Sequence, residues 1–157
     1  MKDQKGFTLI ELLMVIAIIG VLAAIVLVNV GAARDKSADA VVKANLVNIR
    51  SQTEVYYSTN INYGGETASC NSGIFSGDPS IEMAIASAEE ASGGSAVCSS
   101  SDGAVGTGGN ALSWAITVPL KSPSGSGFWC VDFEGLSKET SVLVPADINT
   151  TEVSQCP

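Results

Sequence analysis

Few residues in this chain have types and spacings that could do chemistry. One carboxylate, Glu11, stands near the start of an apolar run that reaches Val30, and no charged residue occurs from Leu12 to Val28. A lone charge at the centre of a membrane helix costs about 2.5 to 3.5 kcal/mol to insert, and such residues mark function by default. The other reactive groups are Cys70, Cys98, Cys130 and Cys156, in a chain with no histidine. Without histidine, Ser–His and Cys–His nucleophiles are excluded. There is no P-loop and no G-x-G-x-x-G after a strand; Gly103-Ala104-Val105-Gly106-Thr107-Gly108-Gly109 is only a glycine-rich loop. No two cysteines stand in a C-x-x-C spacing, which argues against a four-cysteine zinc site. Asp132, Glu134 and Asp147 lie towards the C-terminus, but a hard cation needs about six to eight oxygens and no EF-hand spacing is present. They read as solvated surface acids. The expectation is a protein that is not an enzyme and holds neither cofactor nor metal.

The elements that position Glu11 come next. As a helix, Phe7 to Val30 would be roughly 36 Å long, enough to cross a bilayer core. A secretory signal peptide would use Lys2 and Lys5 as its basic region and a cut near Gly31-Ala32-Ala33. Its apolar region, however, runs about 7 to 15 residues, and this one is longer and contains a glutamate. A plain anchor explains the length but not Glu11. A buried core helix would not be so long and uniform.

Gly6-Phe7-Thr8-Leu9-Ile10-Glu11 closely resembles the processing site of type IV pilins and type II secretion pseudopilins. The resemblance covers about the first thirty residues. It implies a prepilin peptidase that cuts after Gly6 and methylates the new amine of Phe7, and a role for Glu11 in filament assembly. Physical chemistry fits that implication. The cut creates a cationic amine on Phe7 in an apolar setting, where an unpaired carboxylate is costly and a neighbour's ammonium offsets the cost. Lys2 and Lys5 are balanced by Arg34 and Lys36 beyond the run, so charge counting leaves orientation open. The resemblance places the leader in the cytoplasm. It also draws attention to Gly20 and Val28. Many family members have a proline at the latter position, where the helix can unwind in the filament, and Val28 puts that unwinding in doubt.

Charge is uneven along the 157 residues. Residues 61–157 carry eleven acids against Lys121 and Lys138, whereas the whole chain is −8. So acidic a head should repel nucleic acid at long range. Four cysteines in an exported domain read as two disulfides with three connectivities open. The pairing expected is Cys70–Cys98 and Cys130–Cys156, each loop contributing about 3 to 4 kcal/mol in the chain-entropy model. The resemblance favours the second pair, because pilins commonly tie the C-terminal segment back.

The helix is expected to continue to Thr59, with Gly31 as its weak point. Ala38, Val42, Leu46, Ile49, Thr53 and Tyr56 form one apolar stripe. Lys36, Lys43 and Arg50 share another face, read either as a solvated row or as a contact with a neighbour's acidic head. Residues 60–79 read as loop. Asp78-Pro79 starts a second helix with Ile81, Ala84, Ile85 and Ala88 as its core stripe, ended by Gly93-Gly94. Residues 93–110 read as a surface loop tethered through Cys98. Strands are expected at Leu112–Val118, Phe128–Phe133 and Ser141–Val144, in an antiparallel meander over the helix stripe. Ser122–Gly127 reads as a turn, and Ala146–Pro157 is expected to fold back to Cys156. Trp114, Trp129, Tyr56 and Tyr57 read as core or helix-to-head contacts.

These readings give an α+β class: a long N-terminal helix packed on a small antiparallel head of the type IV pilin kind. The expected parts are a leader at 1–6, a membrane and assembly helix at 7–30, its amphipathic continuation at 31–59 and a disulfide-tied head at 60–157. The implied protein is a prepilin, single-pass in the inner membrane before assembly and part of an extracellular or periplasmic filament afterwards. Its implied partners are the peptidase, like subunits and an assembly platform, with no nucleic acid. The alternatives are a type II secretion pseudopilin and a minor tip pilin for adhesion or DNA uptake.

Overall fold

The computed structural model describes residues 6–102, 109–121, 127–144 and 155–157. Two compact units arise, Met1–Asp35 and Lys36–Pro157. In the first, residues 6–8 are not helical and α1 (Leu9–Asn60, 52 residues) begins. Its large apolar side chains from Leu9 to Val26 are exposed. By length and composition this helix is able to cross a membrane. It runs through Gly20 and Gly31 without a break.

In the second unit the alternation of buried and exposed residues along α1 follows the expected stripe. Val42, Leu46, Ile49 and Thr53 are buried, and Ala38 and Tyr56 half-buried. Two further helices accompany it, α2 (Ile74–Gly77) and α3 (Pro79–Ser92). The latter starts as its chemistry dictates. Asp78 Oδ1 accepts from Ser80 N at 2.7 Å, and Pro79, lacking an N–H, takes the first helical position. Gly93 ends it with φ 73°, a left-handed conformation that glycine adopts without a Cβ clash. The short α2 falls inside the segment expected to be loop. Buried Ile74 and Phe75 hold it against the core, and tertiary burial of this kind outweighs local propensity.

The sheet is a four-stranded antiparallel meander, ordered β1 (Val97–Ser101), β2 (Ser113–Pro119), β3 (Phe128–Asp132) and β4 (Ser137–Thr140). Direct cross-strand partners share a face. One face carries Cys98, Ser100, Trp114, Ile116, Val118, Trp129 and Val131, and most of these join Val42, Leu46, Ile49, Ile81 and Ile85 in a single core. The other face carries Ala115 and Cys130, which cluster with Val144 and Cys156.

Two strand expectations are corrected. β1 lies within the expected surface loop. Its sequence, Val-Cys-Ser-Ser-Ser, lacks bulky alternation, yet its serines are buried and bonded; Ser100 Oγ, for example, donates to Gly65 O at 3.1 Å. The last strand is Ser137–Thr140, not Ser141–Val144. Thr140 Oγ1 accepts from Val142 N at 3.0 Å and donates to Val142 O at 3.1 Å, a local turn that competes with the ladder. Val144 is buried by the outer sheet face instead of by a strand partner. The expected turn at Ser122–Gly127, most of the glycine-rich loop and residues 146–154 of the fold-back lie outside the described residues.

The α1 stripe generates a stability prediction for this unit. Leu46→Ala should lower unfolding free energy by about 2 to 5 kcal/mol, whereas Val47→Ala, at an exposed position, should stay within about 0.5 kcal/mol of wild type. Denaturant unfolding of the full chain in detergent, followed by tryptophan fluorescence, checks both.

Candidate assembly site at the helix N-terminus

The site is built from Gly6, Phe7, Thr8 and Glu11. Thr8-Leu9-Ile10-Glu11 has the spacing of a capping box, in which a hydroxyl and a carboxylate three residues apart satisfy each other's backbone donors. The geometry matches. Glu11 N donates to Thr8 Oγ1 at 3.3 Å, Thr8 N donates to Glu11 Oε2 at 2.9 Å, and Thr8 Oγ1 donates to the same oxygen at 2.8 Å. A carboxylate at this end also meets the positive pole of the helix dipole. Sequence reasoning named Glu11 and missed Thr8, although the T-x-x-E spacing was there to be read.

Gly6 and Phe7 precede the helix in non-helical backbone, and Phe7 is 85% exposed. A Cβ on Gly6 would meet nothing within 4 Å. The chain's own packing therefore places no demand for glycine there.

The basic row of α1 is used within the chain. Lys43 Nζ lies 3.0 Å from Glu139 Oε1 on β4 and 4.3 Å from the centre of the Trp129 ring. Arg50 Nη1 donates to Gly135 O at 3.3 Å. Asp39 Oδ1 accepts from Lys121 N at 2.7 Å. Gly135 has φ 93°, a left-handed conformation that favours glycine, and the Arg50 guanidinium lies beside it. Lys36 is exposed. Two of the three cations thus hold the helix to its own sheet, which neither a solvated row nor a contact between subunits had anticipated.

Cys70 pairs with Cys98 and Cys130 with Cys156. Asp132, read from the sequence as a solvated acid, is 1% exposed. Its Oδ1 accepts from Leu136 N at 2.9 Å and its Oδ2 from Cys156 N at 3.0 Å. Burial is tolerated because both oxygens are bonded to backbone donors. Glu134 is exposed and Asp147 lies outside the described residues. Tyr63 Oη donates to Glu54 Oε1 at 3.2 Å, and burial, followed by the charge of Glu54, pushes the phenol up to about 12, so it stays a neutral donor. Its ring lies 4.7 Å from that of Tyr57 and edge-on to Trp114. Trp114 is fully buried in the core, and Tyr56, Tyr57 and Trp129 pack against that core.

Comparison with known proteins bears on this arrangement. Residues 1–27 match the family model described as the prokaryotic N-terminal methylation motif. The type IV wide pilus major component PilA4 of Thermus thermophilus is 43% identical over 89 residues, covering 56% of this chain and 68% of that protein. The chain belongs to the type IV pilin and pseudopilin family. An 89-residue match exceeds the 60 residues up to the end of α1, so the likeness to this pilin reaches into the head. The type II secretion system core protein G of Klebsiella michiganensis is 36% identical over 62 residues, and that of Dickeya chrysanthemi 37% over 62. Those matches span 44% and 40% of the two relatives, less than half of each. No solved structure gives a significant match. The long helix followed by a small antiparallel sheet accords with the pilin fold.

The capping box yields a direct test. Thr8→Ala should cost about 0.5 to 2 kcal/mol of local helix stability, and Thr8→Ser should retain most of it. Amide hydrogen exchange of Leu9 to Leu12 in detergent micelles should accelerate in the alanine variant only. Equal rates in all three chains would remove the cap from the account.

Proposed function

We propose that this chain is the structural subunit of a type IV pilus-like filament, processed after Gly6 and polymerised through its N-terminal helix. The observation that carries the reading is the 43% identity to a major pilus component over a stretch extending beyond the helix. The proposed parts are a leader at 1–6, a membrane and assembly helix at 7–30, its amphipathic continuation at 31–59 and a head at 60–157. Before assembly the chain sits in the inner membrane with a single span. Afterwards it belongs to a filament outside that membrane. Its partners are a prepilin peptidase, like subunits and an assembly platform.

The steps follow from the residues. The peptidase cuts the exposed Gly6–Phe7 bond and frees a cationic amine on Phe7. Methylation keeps that charge while changing its bulk. In the filament the ammonium of one subunit meets the Glu11 carboxylate of the next. Each charge offsets the other's desolvation, which is costly for either one unpaired. Only one stagger between parallel helices brings the two together, so the pair sets the register as well as the energy. A second reading, a pseudopilin of type II secretion, is supported by the two protein G matches. They are hardly longer than leader plus helix and therefore carry less about the head.

Intact-mass analysis of sheared surface filaments, with electron microscopy of cells with and without the gene, tests the proposal. The expected result is filaments lost with the gene and a subunit that starts at a methylated Phe7. A Gly6→Ala chain, which packs without conflict, should stay unprocessed if the glycine serves the peptidase pocket. Sheared filaments lacking the chain, in cells that need it for protein export, would replace the first reading by the second. A mature chain starting elsewhere would overturn both.

A further inference from the structure

The outer face of β3 presents two groups, Cys130 and Asp132, two residues apart and so on the same side of the strand. Both reach the same residue of the C-terminal tail. Cys130 takes the sulfur of Cys156, and Asp132 Oδ2 takes its backbone N–H at 3.0 Å. The other oxygen of Asp132 accepts from Leu136 N at 2.9 Å, and Gly135 N donates to Asp132 O at 3.2 Å, so the carboxylate is itself held by the β3–β4 turn. Asp132 and Cys130 are almost fully buried, and Cys156 is 8% exposed. Among the described residues, the Cys70–Cys98 bond has no such arrangement. Cys70 is half-buried, and its sulfur is 3.5 Å from Ala96 O.

We infer that Asp132 is a positioning residue for disulfide formation: it docks the N–H of Cys156 and thereby places that thiol at Cys130 before the bond is made. Two cysteines in a reduced chain pair in proportion to their effective concentration, and a buried, charge-assisted bond that fixes the tail raises it. The chemistry is ordinary thiol–disulfide exchange with a small-molecule or protein disulfide as oxidant. One thiolate of the pair attacks that disulfide, forming a mixed disulfide and releasing one reduced thiol. The second thiolate then attacks the mixed disulfide. The Cys130–Cys156 bond forms, a second thiol leaves, and two electrons have passed to the oxidant. Asp132 neither gives nor takes a proton in these steps; its part is placement.

The test is an exchange equilibrium of the full chain in detergent micelles, using oxidised and reduced glutathione as the probe. Acid-trapped samples are mapped by peptide mass spectrometry so that each pair is read separately. Asp132→Asn presents an amide donor or a weaker acceptor where a carboxylate took two backbone donors. The effective concentration of the Cys130–Cys156 pair should fall at least about tenfold, equivalent to about 30 mV. That of Cys70–Cys98 in the same molecules should stay within about twofold. A merely structural loss would move both pairs, and an inert residue would move neither. If neither pair moves, the inference fails. If both move together the variant has unfolded, and the decision passes to the Cys156→Ser chain. There the amide at position 156 should still exchange at least about tenfold more slowly than an unprotected amide, held by Asp132 without any sulfur link. Exchange at the unprotected rate would overturn the inference.

Discussion

A carboxylate on an apolar helix must be bonded wherever that helix goes, and Glu11 imposes this condition on the whole N-terminal unit. In the single chain it is met locally. Thr8 gives two donors to one carboxylate oxygen, and the helix dipole adds its positive pole. The cap does more than lower a cost. It fixes where the helix begins, so Gly6 and Phe7 stay outside the helical ladder. It also holds the carboxylate at a defined place one turn from the amine that processing would create. An assembly contact through Glu11 therefore works against, or in addition to, a bond that is already satisfied.

The second unit solves a different problem. A small sheet has two faces, and both must be covered. The helix stripe from Val42 to Thr53 and α3 cover one; Val144 and the end of the tail contribute to the other. The apolar seam supplies the area, while Asp39, Lys43 and Arg50 contact Lys121 just past β2, Glu139 on β4 and Gly135 in the β3–β4 turn. A surface ion pair is worth only about 0 to 1 kcal/mol, but stacking of Lys43 on Trp129 and the placing of Arg50 beside Gly135 add shape to charge.

Much of this is legible in the sequence alone. Asp78, Pro79 and Gly93 bound α3 because caps act through their immediate neighbours, and the stripe on α1 follows from periodicity alone. The core residues Ile81, Ala84, Ile85 and Ala88 follow for the same reason. Most of what the sequence leaves hidden depends on distant partners. The strand at Val97–Ser101 exists because β2 pairs with it and its serines are bonded across the fold, which no local propensity reveals. The last strand moved from Ser141–Val144 to Ser137–Thr140 because the Thr140 hydroxyl captures Val142 and Val144 is needed elsewhere. Asp132 looked like any surface acid; only the convergence of Leu136 and Cys156 on it shows a buried anchor. The Thr8–Glu11 cap was readable from spacing and passed unnoticed beside the unusual charge.

The central claim is that Glu11 is retained in an apolar helix because the processed amine of another subunit neutralises it. The most direct measurement is the amount of subunit in sheared filaments from cells making Glu11→Gln, normalised to processed chain in the inner membrane. Glutamine keeps the shape and can still accept from Thr8, but it has no charge to offer an ammonium. The account predicts normal insertion and cleavage with filament incorporation reduced at least about tenfold, the loss expected for one charge pair in an apolar setting. Incorporation at the wild-type level, with the leader removed as usual, would contradict it.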